Sequence, residues 1–374
     1  MEANIIDEFE GEQSVTVGDE SEDIHEIYPV TVKVTRDVYS IYELKRKYEE
    51  KKTVILDPEF QRHQVWKTKQ KSELIESILM GIPLPLIYLA EDKIGNLQVI
   101  DGRQRLTALF EYLNNDFKLQ SLSIMEHLKG KQFKDLEPAE QSKLEDYQLI
   151  VYVIKPQTPD RIKFDIFDRV NRGGTQLNKQ EMRNALYQGK STKLLKKLSK
   201  MDEFLNATGR AINGNRMKDR YLILRFIAFY MWKHNMLFYS KKKVEYKSDI
   251  DDFLGKTMEA INNLNDKEIK NIENIFRKSM SNAFDILGED GFRIPSTDRK
   301  RPINMALFET FGYLMSHDDV LLDKKFTKEV LFDMFEDEKF VESLTERVDS
   351  SRSVNTRFEK MDEILEKLEL CLVK

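Results

Sequence analysis

No stretch restricts the fold more than residues 97–113, LQVIDGRQRLTALFEYL. An apolar run of strand character ends at Asp101-Gly102, and a helical pattern begins at once, with Leu106, Leu109, Phe110 and Leu113 on one face. A strand that passes into a helix within two residues leaves the helix's first-turn N–H groups beside the strand's end. Gly102 permits dihedrals and a close backbone approach that other residues do not. The chain therefore contains a strand–turn–helix unit resting on a sheet.

Periodicity predicts the elements around that unit. Strands are expected at residues 28–34, 54–56, 86–90, 97–100 and 147–154, the third and fourth joined as a hairpin through a turn containing Gly95. Helices are expected at 40–49, 68–80 and 103–114, the second stopped by Gly81, Pro83 and Pro85. From residue 160 the pattern is helical almost throughout: 160–170, 179–187, 193–198, 218–233, 249–264, 269–287, 301–315, 328–336 and 352–368. The fold class is α+β, a small mixed head followed by a mainly helical body. The expected division is a tail at 1–30, a head at 31–200 and a helical domain at 201–374.

Hydrophobic residues make up 40% of the 374, enough for a real core. No apolar run is long enough to span a bilayer, and the start of the chain is acidic rather than basic and then apolar. Cys371 is the only cysteine, so no disulfide forms within the chain. Together these lead us to expect a cytoplasmic protein. Residues 1–32 hold ten acids and no Lys or Arg, which leaves 60 basic against 55 acidic residues in the remainder. Such a block reads either as a solvated tail or as a mask over a basic surface of the same chain.

Three segments carry candidate chemistry. The first is Asp101 to Arg105. First-turn donors and the helix dipole favour an anion, and Arg103 and Arg105 add guanidinium groups that hold phosphate through paired hydrogen bonds. Asp101 can cap the helix, serve as a candidate Mg²⁺ ligand or orient a water, and Gln104 can position a water. The bland alternative is an Asp-Gly turn beside surface arginines. The second segment, Phe60-Gln61-Arg62, lies on a turn of the same small domain. Nearby Trp66 reads as core rather than as a stacking platform. In the third, a helix ends at Asn171, Arg172-Gly173-Gly174-Thr175 turns the chain, and Asn178 caps a new helix with Glu181 as its reciprocal partner. The two glycines either make a corner or admit a phosphate to backbone donors. Arg169, Asn171, Arg172 and Arg183 are the polar groups around them.

In the order P-E-F-Q-R, L-I-E-S-I-L, I-P-L-P, I-D-G-R-Q-R-L-T-A-L, F-D-R-V-N-R-G-G and L-N-K-Q-E-M-R-N-A, residues 40–230 resemble a prokaryotic family marked by a D-G-Q-Q-R motif. That family supplies the N-terminal domain of GmrSD-type restriction endonucleases and related phage-defence proteins. The resemblance implies a fold similar to ParB and sulfiredoxin, nucleoside-triphosphate binding and, with Mg²⁺, hydrolysis. It implies nucleotide-binding roles for Gln61, Arg62, Gly102, Arg103, Arg105, Arg169, Asn171, Gly173 and Gly174. Asp101, Gln104 and Gln61 are the catalytic candidates. DNA and an effector nuclease are the implied partners.

There are two departures. Arg103 stands where the motif has its first glutamine. The nuclease half is not apparent either, because His234 and His317 are the only histidines of the helical body and neither sits in the expected ββα setting. Lys241-Lys242-Lys243 and Arg299-Lys300-Arg301 read as solvated loops or as contacts to a nucleic-acid backbone. Two functions stand: a nucleotide hydrolase in a defence system, and a non-catalytic DNA-binding or scaffold module of the same fold.

Overall fold

The computed structural model describes residues 9–10, 32–56, 66–92, 94–158, 160–171, 178–297, 300–321 and 323–371. The chain divides into two compact units. One is His25–Leu186, and the other joins Tyr187–Lys374 to the segment Met1–Ile24. The architecture is the expected α+β, with a five-stranded mixed sheet followed along the chain by a helical body. The first described element, β1 (Phe9–Glu10), belongs to the second unit.

The sheet of the first unit runs β2-β6-β4-β5-β3. Its strands are β2 (Val34–Ser40), β3 (Val54–Ile55), β4 (Ile87–Glu91), β5 (Leu97–Asp101) and β6 (Gln148–Ile154). β2 lies antiparallel to β6 and β4 parallel to β6. β5 returns antiparallel to β4 as the expected hairpin, and β3 lies parallel to β5. Alternation along each strand divides the side chains between two faces. Ile87, Leu89, Leu97, Val99, Leu149, Val151 and Val153 share one core with α1 (Ile41–Glu49), α2 (Thr68–Leu79), α3 (Arg103–Leu113) and α4 (Pro138–Glu145). Trp66 packs against that core, as expected. On the other face Ala90, Ile100 and Ile154 meet Phe167 of α5 (Asp160–Asn171) and Met182 and Ala185 of α6 (Lys179–Leu186).

Capping sets the helix ends. Gly81 takes φ 79°, and Ile82 N–H returns 2.9 Å to the Ser77 carbonyl to close α2. Asn178 and Glu181 cap α6 reciprocally, at 2.7 and 2.8 Å. One strand differs from expectation. The alternation predicted at 28–34 is carried by Val34–Ser40, and 28–31 lie outside the described residues. The pattern V-T-V-K-V-T-R-D-V-Y continues past Val34, and the β-branched residues beyond it pair along the whole length of β6.

In the second unit α7 (Lys190–Leu198), α8 (Asp202–Ala207), α9 (Lys218–Lys233), α10 (Ile250–Asn263) and α11 (Asp266–Leu287) come first, with a short hairpin of β7 (Phe238–Tyr239) and β8 (Lys242–Lys243). After β9 (Ile303–Asn304) come α12 (Met305–Met315), α13 (Lys324–Asp333), α14 (Glu338–Thr345) and α15 (Ser351–Cys371). Every residue of α12 is buried, which makes it the central helix of its unit. The helix expected from residue 301 begins only at Met305. Ile303 and Asn304 pair parallel with Phe9 and Glu10, and the buried Asn304 side chain then caps α12 through Leu307 N–H.

Buried charge ties this unit together. Arg225 donates to Glu309 at 2.8 Å and to Asp349 at 2.6 Å, and Arg357 donates to the other Glu309 oxygen at 2.7 Å. Arg225, Glu309 and Arg357 are wholly buried. Among the described residues no helix is long and apolar enough to cross a membrane.

Candidate functional site

The first segment begins where β5 ends. The register of β4 against β5 shifts between Tyr88 and Leu89, a bulge that re-aims the end of the strand at Asp101. Gly102 follows with φ 92° and is the N-cap of α3, with no side chain to offer the helix. A Cβ there would lie 2.9 Å from Ile87 Cγ1. Left-handed backbone and contact with Ile87 thus both require glycine. The expected strand–glycine–helix turn is therefore in place, on a buried glycine.

Arg105 is oriented inward. Its Nη2 donates to Asp101 Oδ2 at 2.8 Å and to the Leu86 carbonyl at 3.0 Å, and its Nη1 donates to the Pro85 carbonyl. Burial holds the guanidinium below its ordinary value, and the Asp101 carboxylate pushes the other way. Arg105 thus clamps the first turn of α3 to the chain entering β4. Arg103 and Gln104 are half-buried in the same turn and make contacts of their own.

Asp101 shares one carboxylate oxygen with Arg105, and among the described residues no three His, Cys, Asp or Glu side chains gather to hold a metal. A Mg²⁺ ion at Asp101 would draw its other ligands from phosphate oxygens and water, which is the usual way this ion is held beside a nucleotide.

Gln61 and Arg62 lie outside the described residues, as do Arg172, Gly173 and Gly174. Arg169 is exposed in the last turn of α5, and Asn171 is the final residue of that helix. α5 and α6 both pack on β5, the strand that delivers Asp101, so the first and third segments meet on one strand. Arg183 is wholly buried on α6 and donates to Gln180 Oε1 at 3.2 Å.

Two glutamines escaped the sequence reading. Gln98 on β5 and Gln180 on α6 are buried, and among the described residues Gln98 Oε1 and Gln180 Nε2 have no hydrogen-bond partner. A polar residue between the apolar Leu97 and Val99 was the available signal for Gln98.

His234 and His317 stack with ring centroids 5.6 Å apart, beside Tyr230 and Tyr313. Burial, with the neighbouring His317, holds His234 below its usual value. The basic runs are partly neutralised. Lys243 pairs with Glu245 at 3.2 Å, and Lys300 pairs with Asp290 at 2.6 Å. Arg299 lies outside the described residues.

Residues 41–188 match the GmrSD restriction endonuclease N-terminal domain. The matched segment starts at α1 and ends just after α6, so it takes in β3 to β6, the Gly102 turn and the helices that flank the third segment. The likeness is to the N-terminal domain of a restriction endonuclease, and it is confined to this segment. No curated protein and no solved structure matches the chain.

Proposed function

We propose that the GmrSD-type domain binds a Mg²⁺–nucleoside triphosphate at the turn from Asp101 to Arg105 and hydrolyses it as one step of a restriction response. The observation that carries this reading is the buried, left-handed Gly102. It heads α3 without a side-chain cap of its own, and a helix start of this kind favours an anion. Arg103 supplies charge to the phosphates, and Gln104 orients the attacking water. Asp101 takes one position on the nucleotide's Mg²⁺ while Arg105 fixes the turn. Gln61, Arg62, Arg169, Asn171, Gly173 and Gly174 contribute further contacts in this reading, and an effector nuclease is supplied by a partner protein.

A second reading rests on Arg105. A guanidinium committed to Pro85, Leu86 and Asp101 is what a purely architectural turn would also have. In that case the domain is a DNA-binding or scaffold module without turnover. Phosphate release by the purified chain, measured with each nucleoside triphosphate in the presence and absence of DNA, separates the two. Turnover above that of the Asp101→Asn variant is expected. No release under any condition, with the protein folded, leaves the scaffold reading.

A further inference from the structure

We propose that β2 pairs antiparallel with β2 of a second copy of this chain, in a register centred on Thr35, so that two five-stranded sheets join into one.

β2 and β3 are the outer strands of the sheet. β3 has two residues, too few to template a neighbour, whereas β2 has seven and pairs with β6 without a bulge. It contains no proline. A long, straight outer strand is an open row of donors and acceptors unless something covers it. Lys155 N–H reaches the Lys33 carbonyl at 2.8 Å, and Ile41 N–H reaches the Tyr147 carbonyl at 3.2 Å. The odd-numbered residues therefore direct their backbone groups at β6, and Val34, Arg36 and Val38 direct theirs outward. Among the described residues no strand lies on that side. The side chains of the outward residues are exposed too: Val34 by 38% and Val38 by 50%, with Val32 just before the strand at 47%.

The second copy is selected by charge. Two-fold pairing of β2 with itself keeps like faces together, so directly opposed residues are both even or both odd. Centring on Arg36 opposes two arginines, and centring on Asp37 opposes two aspartates, both unfavourable. Centring on Thr35 instead opposes Lys33 to Asp37 twice, Val32 to Val38 twice and threonine to threonine. Val34 then faces the aliphatic stem of Arg36. This register alone of the three has no like-charge pair and has two opposite-charge pairs. An interface of this length falls below about 1,200 Å², the range of weak, transient association, so the dimer is concentration-dependent.

The test uses the full chain with Cys371→Ser as background. Directly opposed residues whose backbone groups face away from each other bring their Cα atoms to about 4.5 Å, within reach of a disulfide. Thr35→Cys should cross-link into a dimer under mild oxidation, and Asp37→Cys should not. Sedimentation should give a concentration-dependent dimer that Lys33→Asp or Asp37→Lys weakens several-fold and the double reversal restores, with circular dichroism unchanged throughout. A monomer at every concentration with no Thr35→Cys dimer overturns the proposal. So does equal cross-linking at both positions, or a dimer indifferent to the charge reversals.

Discussion

Arg105 Nη2 stands 2.8 Å from Asp101 Oδ2, four residues back across the Gly102 turn. The same nitrogen holds the Leu86 carbonyl, so one side chain fastens the end of β5, the start of α3 and the entry to β4. Arg105→Ala should therefore destabilise the domain before it affects any ligand. Leaving two carbonyls and a carboxylate without their donor costs roughly 1.5–3 kcal/mol. Denaturant melts should show this loss, and Arg105→Lys should recover only part of it, because an ammonium cannot span the same three oxygens in one plane. Wild-type stability in Arg105→Ala would remove the clamp.

Gly102→Ala should destabilise for two reasons that act together. The left-handed backbone costs about 1–3 kcal/mol for a residue with a Cβ, and that Cβ would press on Ile87. Ile87→Ala in the same protein should relieve the contact and leave the backbone cost. A double-mutant cycle reads the difference, and zero coupling would mean that Ile87 does not restrict the turn.

Much of the fold was readable, and the failures have physical causes. The hairpin of β4 and β5, α9 and the Asn178–Glu181 cap follow from local periodicity and capping chemistry. β9 has two residues and no period, so its pairing with β1 across nearly the whole sequence left no local mark. α8 has six residues, under two turns, too short to display a face. At the candidate site, Gly102 was readable because left-handed turns demand glycine, whereas the Arg105 clamp was not. Its acceptors are backbone carbonyls 19 and 20 residues away, which carry no side-chain signature. The prolines at 83 and 85 marked an extended segment but not its use.

Glu309 holds two buried arginines from positions 84 and 48 residues away. Glu309→Leu should cost roughly 3–5 kcal/mol, because it leaves the buried Arg357 without a carboxylate and Arg225 with Asp349 alone. Equilibrium unfolding in urea measures this, and a change within about 0.5 kcal/mol, typical of an unremarkable surface site, would be incompatible with the network.

Acid stability should depend on Glu273. Burial pushes its carboxyl up, but hydrogen bonds from Lys197 and Lys270 more than reverse this and hold it at about 2. An unfolded glutamate titrates near about 4.3. The folded value is the lower of the two, so the contribution is complete above the unfolded value and is lost as pH falls towards the folded one. Between those limits the wild type should lose more stability than Glu273→Gln. Parallel pH profiles of the two proteins would show that the ion pairs contribute nothing.

Titration calorimetry of Mg²⁺–nucleoside triphosphates against the folded wild type and Arg103→Ala bears most directly on the nucleotide site. Arg103 shares the turn with Gly102 but is not part of the Arg105 clamp. Saturable binding by the wild type is expected, weakened in folded Arg103→Ala by about 1.5–3 kcal/mol, the worth of a hydrogen bond to a charged group. No heat with any nucleoside triphosphate, or equal affinity in the two proteins, would contradict a phosphate site at this turn.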